Sequence, residues 1–163
     1  MNRLLPERVE VVGLDHLYLA VSDLARSEQF YDTVLGILDF RKGDTSIGGE
    51  PHRHYFNKVM QISIRPGRGG THDPYAPGLH HLCLQVANSA ALDKVADLLG
   101  RAGIVATEPA LYPQYADYYY AIFLSDPDGM RLEIVARRAR RKQTVERWNE
   151  LTSFLNPWSK VKA

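Results

Sequence analysis

One cysteine, Cys83, stands in a chain of 163 residues. A lone thiol excludes an intrachain disulfide and a zinc site built from four thiolates, and it suits a reducing cytoplasm. An excess of charge of either sign is lacking too: 20 Lys and Arg against 19 Asp and Glu leave a formal net charge of +1. No long-range field therefore draws the whole molecule onto nucleic acid or an anionic membrane. No apolar run approaches the roughly 20 residues of a membrane span. Pro6, Glu7 and Glu10 interrupt the stretch where a signal peptide would carry its apolar core. These absences point to a cytoplasmic protein that engages neither membrane nor nucleic acid. What is left, 45% hydrophobic and 24% charged, has the composition of a globular protein with a core.

What the sequence does have is a repeat. "GLDHLYLAV", residues 13–21, is nearly restated as "GLHHLCLQV", residues 78–86. Read with period two, Leu17, Leu19 and Val21 share one face of a strand and His16, Tyr18 and Ala20 the other. Laying His16 on His81 also lays Leu17 on Leu82, Leu19 on Leu84 and Val21 on Val86 without a gap. Each strand is followed by a cap and a helical stripe: Ser22 or Asp23, then Leu24, Tyr31, Val34 and Leu35 with Gly36 as a stop; Asn88 or Ser89, then Leu92, Val95, Ala96 and Leu99 with Gly100 or Gly103 as an exit. Three short strand-like runs follow each helix, "ILDFRK", "HYFNK" and "VMQISI" in the first copy, "IVATEP", "YYYAIFLS" and "MRLEIVA" in the second. "DPDG" at 126–129 supplies a tight hairpin turn.

The expected architecture is α+β: a first βαβββ module at 13–65, a linker at 66–78, a second module at 79–136 and a C-terminal helical tail at 137–163. The tail helix is expected to end before Pro157. Its Trp148, Leu151 and Trp158 offer an apolar surface for a homodimer.

His16 and His81 lie on the mixed faces of the two repeated strands, and Glu133 lies on the mixed face of the last one, with Gln61 in the same kind of position in the first half. Two imidazoles and a carboxylate, with a neutral oxygen donor nearby, suit a divalent transition metal that keeps open positions. His80 is expected to be structural. His52 and His54 in "PHRHYF" are expected on a solvated loop, and the basic run Arg137 to Lys142 is expected to start a solvated helix or make a dimer patch. Cys83 shares the face of His81 but has no dedicated activating partner, so it is not expected to be a nucleophile.

"LDHLYLAVSDLARSEQFYDTVLG", "GLHHLCLQV" and "DPDGMRLEIV" together resemble the vicinal oxygen chelate superfamily, which includes glyoxalase I, fosfomycin-resistance enzymes, extradiol dioxygenases and bleomycin-binding proteins. The resemblance covers residues 13–136. It implies two βαβββ repeats curled into a mixed-sheet cup, with His16, His81 and Glu133 as ligands of one divalent metal (Zn, Ni, Co, Mn or Fe). Gln61 falls at the second ligand place, where bacterial glyoxalases usually have a glutamate. An amide can coordinate but cannot accept a proton at neutral pH, so Glu133 would act alone as base. A phenol from Tyr118, Tyr119 or Tyr120 would donate to a metal-bound oxyanion, with Tyr119 the one taken as catalytic. The implied activity is a lyase or isomerase of the lactoylglutathione lyase kind acting on a small substrate with adjacent oxygens. An extradiol dioxygenase using Fe(II) comes next, and a non-catalytic binding protein of the bleomycin-resistance kind is the rival from another class.

Overall fold

A computed structural model of the chain describes residues 9–150. Its elements run β1 (His16–Val21), α1 (Leu24–Ile37), β2 (Arg41–Ile47), β3 (Glu50–Phe56), β4 (Gln61–Pro66), β5 (His81–Gln85), α2 (Ser89–Arg101), β6 (Ala110–Leu111), β7 (Tyr120–Ser125), β8 (Arg131–Val135) and α3 (Arg138–Glu146), with a 3-10 turn at Trp148–Glu150. Two four-stranded sheets result, ordered β1-β4-β3-β2 and β5-β8-β7-β6. In each, the first strand runs parallel to the last of its module and the other pairings are antiparallel. The α+β fold with paired βαβββ modules and a C-terminal helix is thus present. Among the described residues the chain divides into two compact units, residues 9–72 with 126–129, and residues 73–125 with 130–150.

In the first unit Asp23 caps α1, its side chain accepting from the Arg26 amide at 3.0 Å. Tyr31, Val34 and Leu35 are buried in the core with Leu19, Val21, Tyr55, Ile62 and Ile64. The helix passes through Gly36, ends at Ile37 and is capped at Leu38, after which Asp39 takes a left-handed backbone (φ 62°). An acidic residue tolerates that conformation better than most, so the expected glycine stop is not needed. β2 therefore starts at Arg41, later than "ILDFRK" suggests. It joins β3 through Gly48 and Gly49, both at positive φ (61° and 82°), as a two-residue hairpin demands.

The "DPDG" turn belongs to this unit. Asp128 accepts from the Ser22 amide (2.7 Å), from the Ser22 hydroxyl and from Arg26 (2.7 Å), and the Tyr31 hydroxyl donates to Asp126 at 2.9 Å. Both aspartates are buried, so each carboxylate is solvated by protein donors in place of water.

In the second unit Asn88 caps α2 by accepting from Ala91 at 2.9 Å, and Leu92, Val95 and Leu99 pack with Ile122, Leu132 and Ile134. "IVATEP" does not form the expected strand. Ala106 makes one bridge to Leu124, and β6 begins only at Ala110, because Pro109 has no N–H to give a ladder. In the tail, α3 and the 3-10 turn bury no side chain. Leu151, Pro157 and Trp158 lie outside the described residues. Among the described residues no helix is long and apolar enough to cross a membrane.

Candidate functional site

The second unit carries a cavity of about 950 Å³, lined by His81 from β5, Glu133 and Arg131 from β8, Phe123 from β7, and Tyr112, Tyr115 and Tyr119 from the loop before β7. Period-two alternation sets this face. Leu132 and Ile134 turn into the core, so Arg131 and Glu133 turn away from it. Register then places Glu133 opposite Cys83 on one side and Phe123 on the other, and Arg131 opposite His81 and Ser125.

Glu133 is 4% exposed, and its Oε1 accepts a hydrogen bond from the Tyr119 hydroxyl. Its Oε2 lies 3.7 Å from His81 Nε2. An imidazole lone pair and a carboxylate oxygen at that separation repel unless a proton or a cation lies between them. The His80 and His81 Nδ1 atoms are 2.8 Å apart, so the Nδ1 side of His81 is already engaged and Nε2 is the atom turned to Glu133. A nitrogen and an anionic oxygen on adjacent strands, both at the edge of a cavity, fit half of a divalent-metal shell.

Tyr119 is held in place by its surroundings. Its ring meets Tyr115 edge-on (5.3 Å), and the Arg137 guanidinium lies 4.8 Å over it. Burial first, then the hydrogen bond to Glu133, keep its phenol protonated well above the usual range. Its neighbours differ. Tyr118 is 87% exposed at positive φ (57°), and the Tyr120 hydroxyl donates to Asp93 on α2 at 2.7 Å. Of the three tyrosines that sequence offered, Tyr119 is the one on the carboxylate. Cys83 keeps an exposed edge, yet crowding around its sulfur and the adjacent Glu133 charge push the thiol up to about 12, so it is a poor nucleophile at neutral pH.

The first unit builds its mixed face differently. His16 and Gln61 are register partners across β1 and β4, and His16 Nδ1 lies 2.8 Å from Asp15 Oδ2, which leaves Nε2 as the atom available to a ligand. Gln61 Nε2 donates to Ser63 Oγ at 2.8 Å. Because His16 pairs with Gln61 while His81 pairs with Arg131, the register makes Gln61 the counterpart of Arg131, and buried Ser63 the counterpart of Glu133. Gln61 lies on the mixed face, as its place in the strand pattern implies, and the register sets it two residues before the counterpart of Glu133.

His52 and His54 are not on a solvated loop. They lie on β3, His52 is buried, and His54 Nδ1 lies 2.7 Å from Ser63 Oγ. The neighbouring β2, which pairs with β3, is an exposed polar strand, so the sequence around these histidines carries no apolar strand pattern. His80, expected to be structural, lines the cavity beside His81, their rings 5.1 Å apart, since it precedes β5 and is not bound by strand alternation. Among the described residues no group of three or more His, Cys, Asp or Glu side chains forms a metal cage.

The family model described as Glyoxalase/Bleomycin resistance protein/Dioxygenase superfamily matches residues 13–134. The chain belongs to this superfamily. A relative of this glyoxalase-superfamily chain is the uncharacterized protein YqjT of Bacillus subtilis (strain 168), 27% identical over 127 residues, which are 76% of this chain and 98% of the relative. A glyoxylase/bleomycin resistance protein/dioxygenase domain from Frankia sp. EAN1pec is similar in structure, with a TM-score of 0.65 at 25% identity over 78% of this chain and 98% of that one. A variant of the fosfomycin resistance protein FosX from Listeria monocytogenes, complexed with Mn(II) and 1S,2S-dihydroxypropylphosphonic acid, shares the fold at a TM-score of 0.61 and 17% identity, over 82% of this chain and 98% of that one. Beyond the candidate ligands and Tyr119, the cavity wall of this superfamily member takes in Tyr112, Tyr115, Phe123 and Arg131. The signal for Arg131 was present, since it sits two residues before Glu133 and so on the same face.

Proposed function

We propose that the protein is a divalent-metal-dependent enzyme of the glyoxalase type, acting as a lyase or isomerase on a small substrate with adjacent oxygens. The observation that carries this reading is the approach of His81 Nε2 to Glu133 Oε2 at 3.7 Å on the cavity wall. The ligands in this reading are His16, His81 and Glu133, with Gln61 flanking His16. A metal held there supplies Lewis-acid stabilisation of negative charge developing on a substrate oxygen. The chain's own part is to hold and move the proton. Glu133 is the base that takes a proton from the substrate carbon and returns it to the neighbouring one, while Tyr119, donating to Oε1, keeps the carboxylate from turning. Buried in an aromatic-walled cavity, the carboxylate is shielded from bulk water that would compete for that proton. Ser63 and Gln61 cannot act as a second base, which leaves one proton-transfer group.

Elemental analysis of the full-length protein, followed by chelation and add-back of each divalent metal, tests the reading. About one equivalent of metal per chain is expected, lost in His81→Ala and in Glu133→Gln. A protein that takes up no metal and whose melting temperature ignores chelator and metal alike would instead be a sequestering module of the bleomycin-resistance kind. Dioxygen consumption with catechols under Fe(II) loading would move the activity to extradiol cleavage.

A further inference from the structure

The cavity of the second unit has more aromatic wall than proton transfer to a small oxygenated substrate requires. Tyr112 and Tyr115 stack nearly parallel (5.9 Å, 18°), Phe123 meets Tyr112 edge-on at 5.0 Å, and Tyr119 meets Tyr115 at 5.3 Å. Tyr115 is 60% exposed and lines the cavity, so part of its ring surface is open to a ligand. The same cavity contains an exposed guanidinium, Arg131, which has no ion pair with any described residue. Rings that offer π-faces bind planar groups, and a free guanidinium binds carboxylates bidentately.

We propose that this cavity takes an anionic aromatic ligand, an aryl carboxylate whose ring lies against Tyr115 and Tyr112 and whose anion pairs with Arg131. The inference rests on this cavity being the substrate site of the function proposed above, whose substrate class it narrows. Polarity fixes the orientation. Arg131 and Glu133 are two residues apart on one face of β8, about 7 Å at the usual strand rise, so the anionic end is drawn to Arg131 and repelled from Glu133. An aliphatic acid would satisfy the arginine and leave the rings uncovered. A neutral aryl group would do the reverse.

Calorimetry on the full chain in the presence of chelator tests this without any metal, using 2-naphthoate, 2-naphthamide and octanoate as probes. Naphthoate is expected to bind at least tenfold more tightly than either of the others. Arg131→Gln should remove the advantage over naphthamide, and Tyr115→Leu should weaken both aryl probes about tenfold while sparing octanoate. Naphthamide binding as well as naphthoate, octanoate matching naphthoate, or Arg131→Gln leaving naphthoate unchanged would each overturn the proposal. Metal uptake, measured on the same wild-type chain, separates the two readings. Intact naphthoate binding with no metal uptake even in the wild-type chain would end the metal reading alone, whereas full metal loading with no aryl preference would end this one alone.

Discussion

Glu133 has two oxygens with different neighbours, the Tyr119 hydroxyl on one and the His81 imidazole beside the other. A carboxylate that is nearly buried needs such partners, and a phenol donating to it both stabilises the charge and stops the group from turning. Tyr119→Phe removes that donor while keeping the ring and its packing against Tyr115. Outer-shell partners of ligating side chains are typically worth 10–100-fold in metal affinity. Competition with a chelating dye should therefore give a dissociation constant raised by about that factor, at unchanged stoichiometry. Equal affinity in the variant and the wild-type chain would mean that Tyr119 is packing only. The counterpart position in the first half holds Ser63, which has no charge to anchor, and this is why the two halves are not interchangeable at the residue scale despite matching strands.

At the scale of elements, the "DPDG" turn is the clearest case of a short motif doing a structural task. Asp128 gathers the Ser22 amide, the Ser22 hydroxyl and Arg26, so Asp128→Ala strands a backbone amide and removes a charge-assisted bond. The expected cost is about 2–3 kcal/mol, read from urea unfolding. Ser22→Ala, which keeps the amide bond, should cost about 1 kcal/mol. A loss below about 0.5 kcal/mol in Asp128→Ala would show that water replaces these contacts. The turn was legible in sequence, and so were the first strand, the caps at Asp23 and Asn88 and the buried stripe of each helix, because period and cap chemistry are local. β2 was not: "RKGDTSI" is an exposed outer strand without apolar alternation. Nor could the offset between Gln61 and Ser63 be read, since pairing register depends on which residues meet across β1 and β4, a non-local quantity. For the site, sequence supplied His81, Glu133 and Tyr119 as candidates, but the aromatic wall and Arg131 emerge only when the loop at 112–119 and β8 are brought to one cavity.

For the whole molecule, the distribution of tyrosine sets the alkaline limit of stability. Tyr31 and Tyr55 are buried at 0% and 2% exposure, and their hydroxyls donate to Asp126 and Asp32. Burial first, then these carboxylates, hold both phenols in the neutral form far above their ordinary value. A group with its pKa raised by folding contributes stability that is complete below the unfolded value, about 10, and is lost as pH climbs toward the folded one. With two such groups the slope approaches 2.7 kcal/mol per pH unit, so about 2–3 kcal/mol should disappear between pH 10.5 and 11.5. Lys42 adds a loss of the same sign: burial opposes its charge, but hydrogen bonds to Glu28 and Asp32 outweigh it and raise its pKa. Absorbance at 295 nm separates the contributions, since only phenolate is seen. Of the nine tyrosines in the chain, at least Tyr31 and Tyr55 should stay un-ionised in the native protein at pH 11 and appear on unfolding. A native titration in which all nine ionise together near pH 10 would mean that these two side chains are not held as their hydrogen bonds describe.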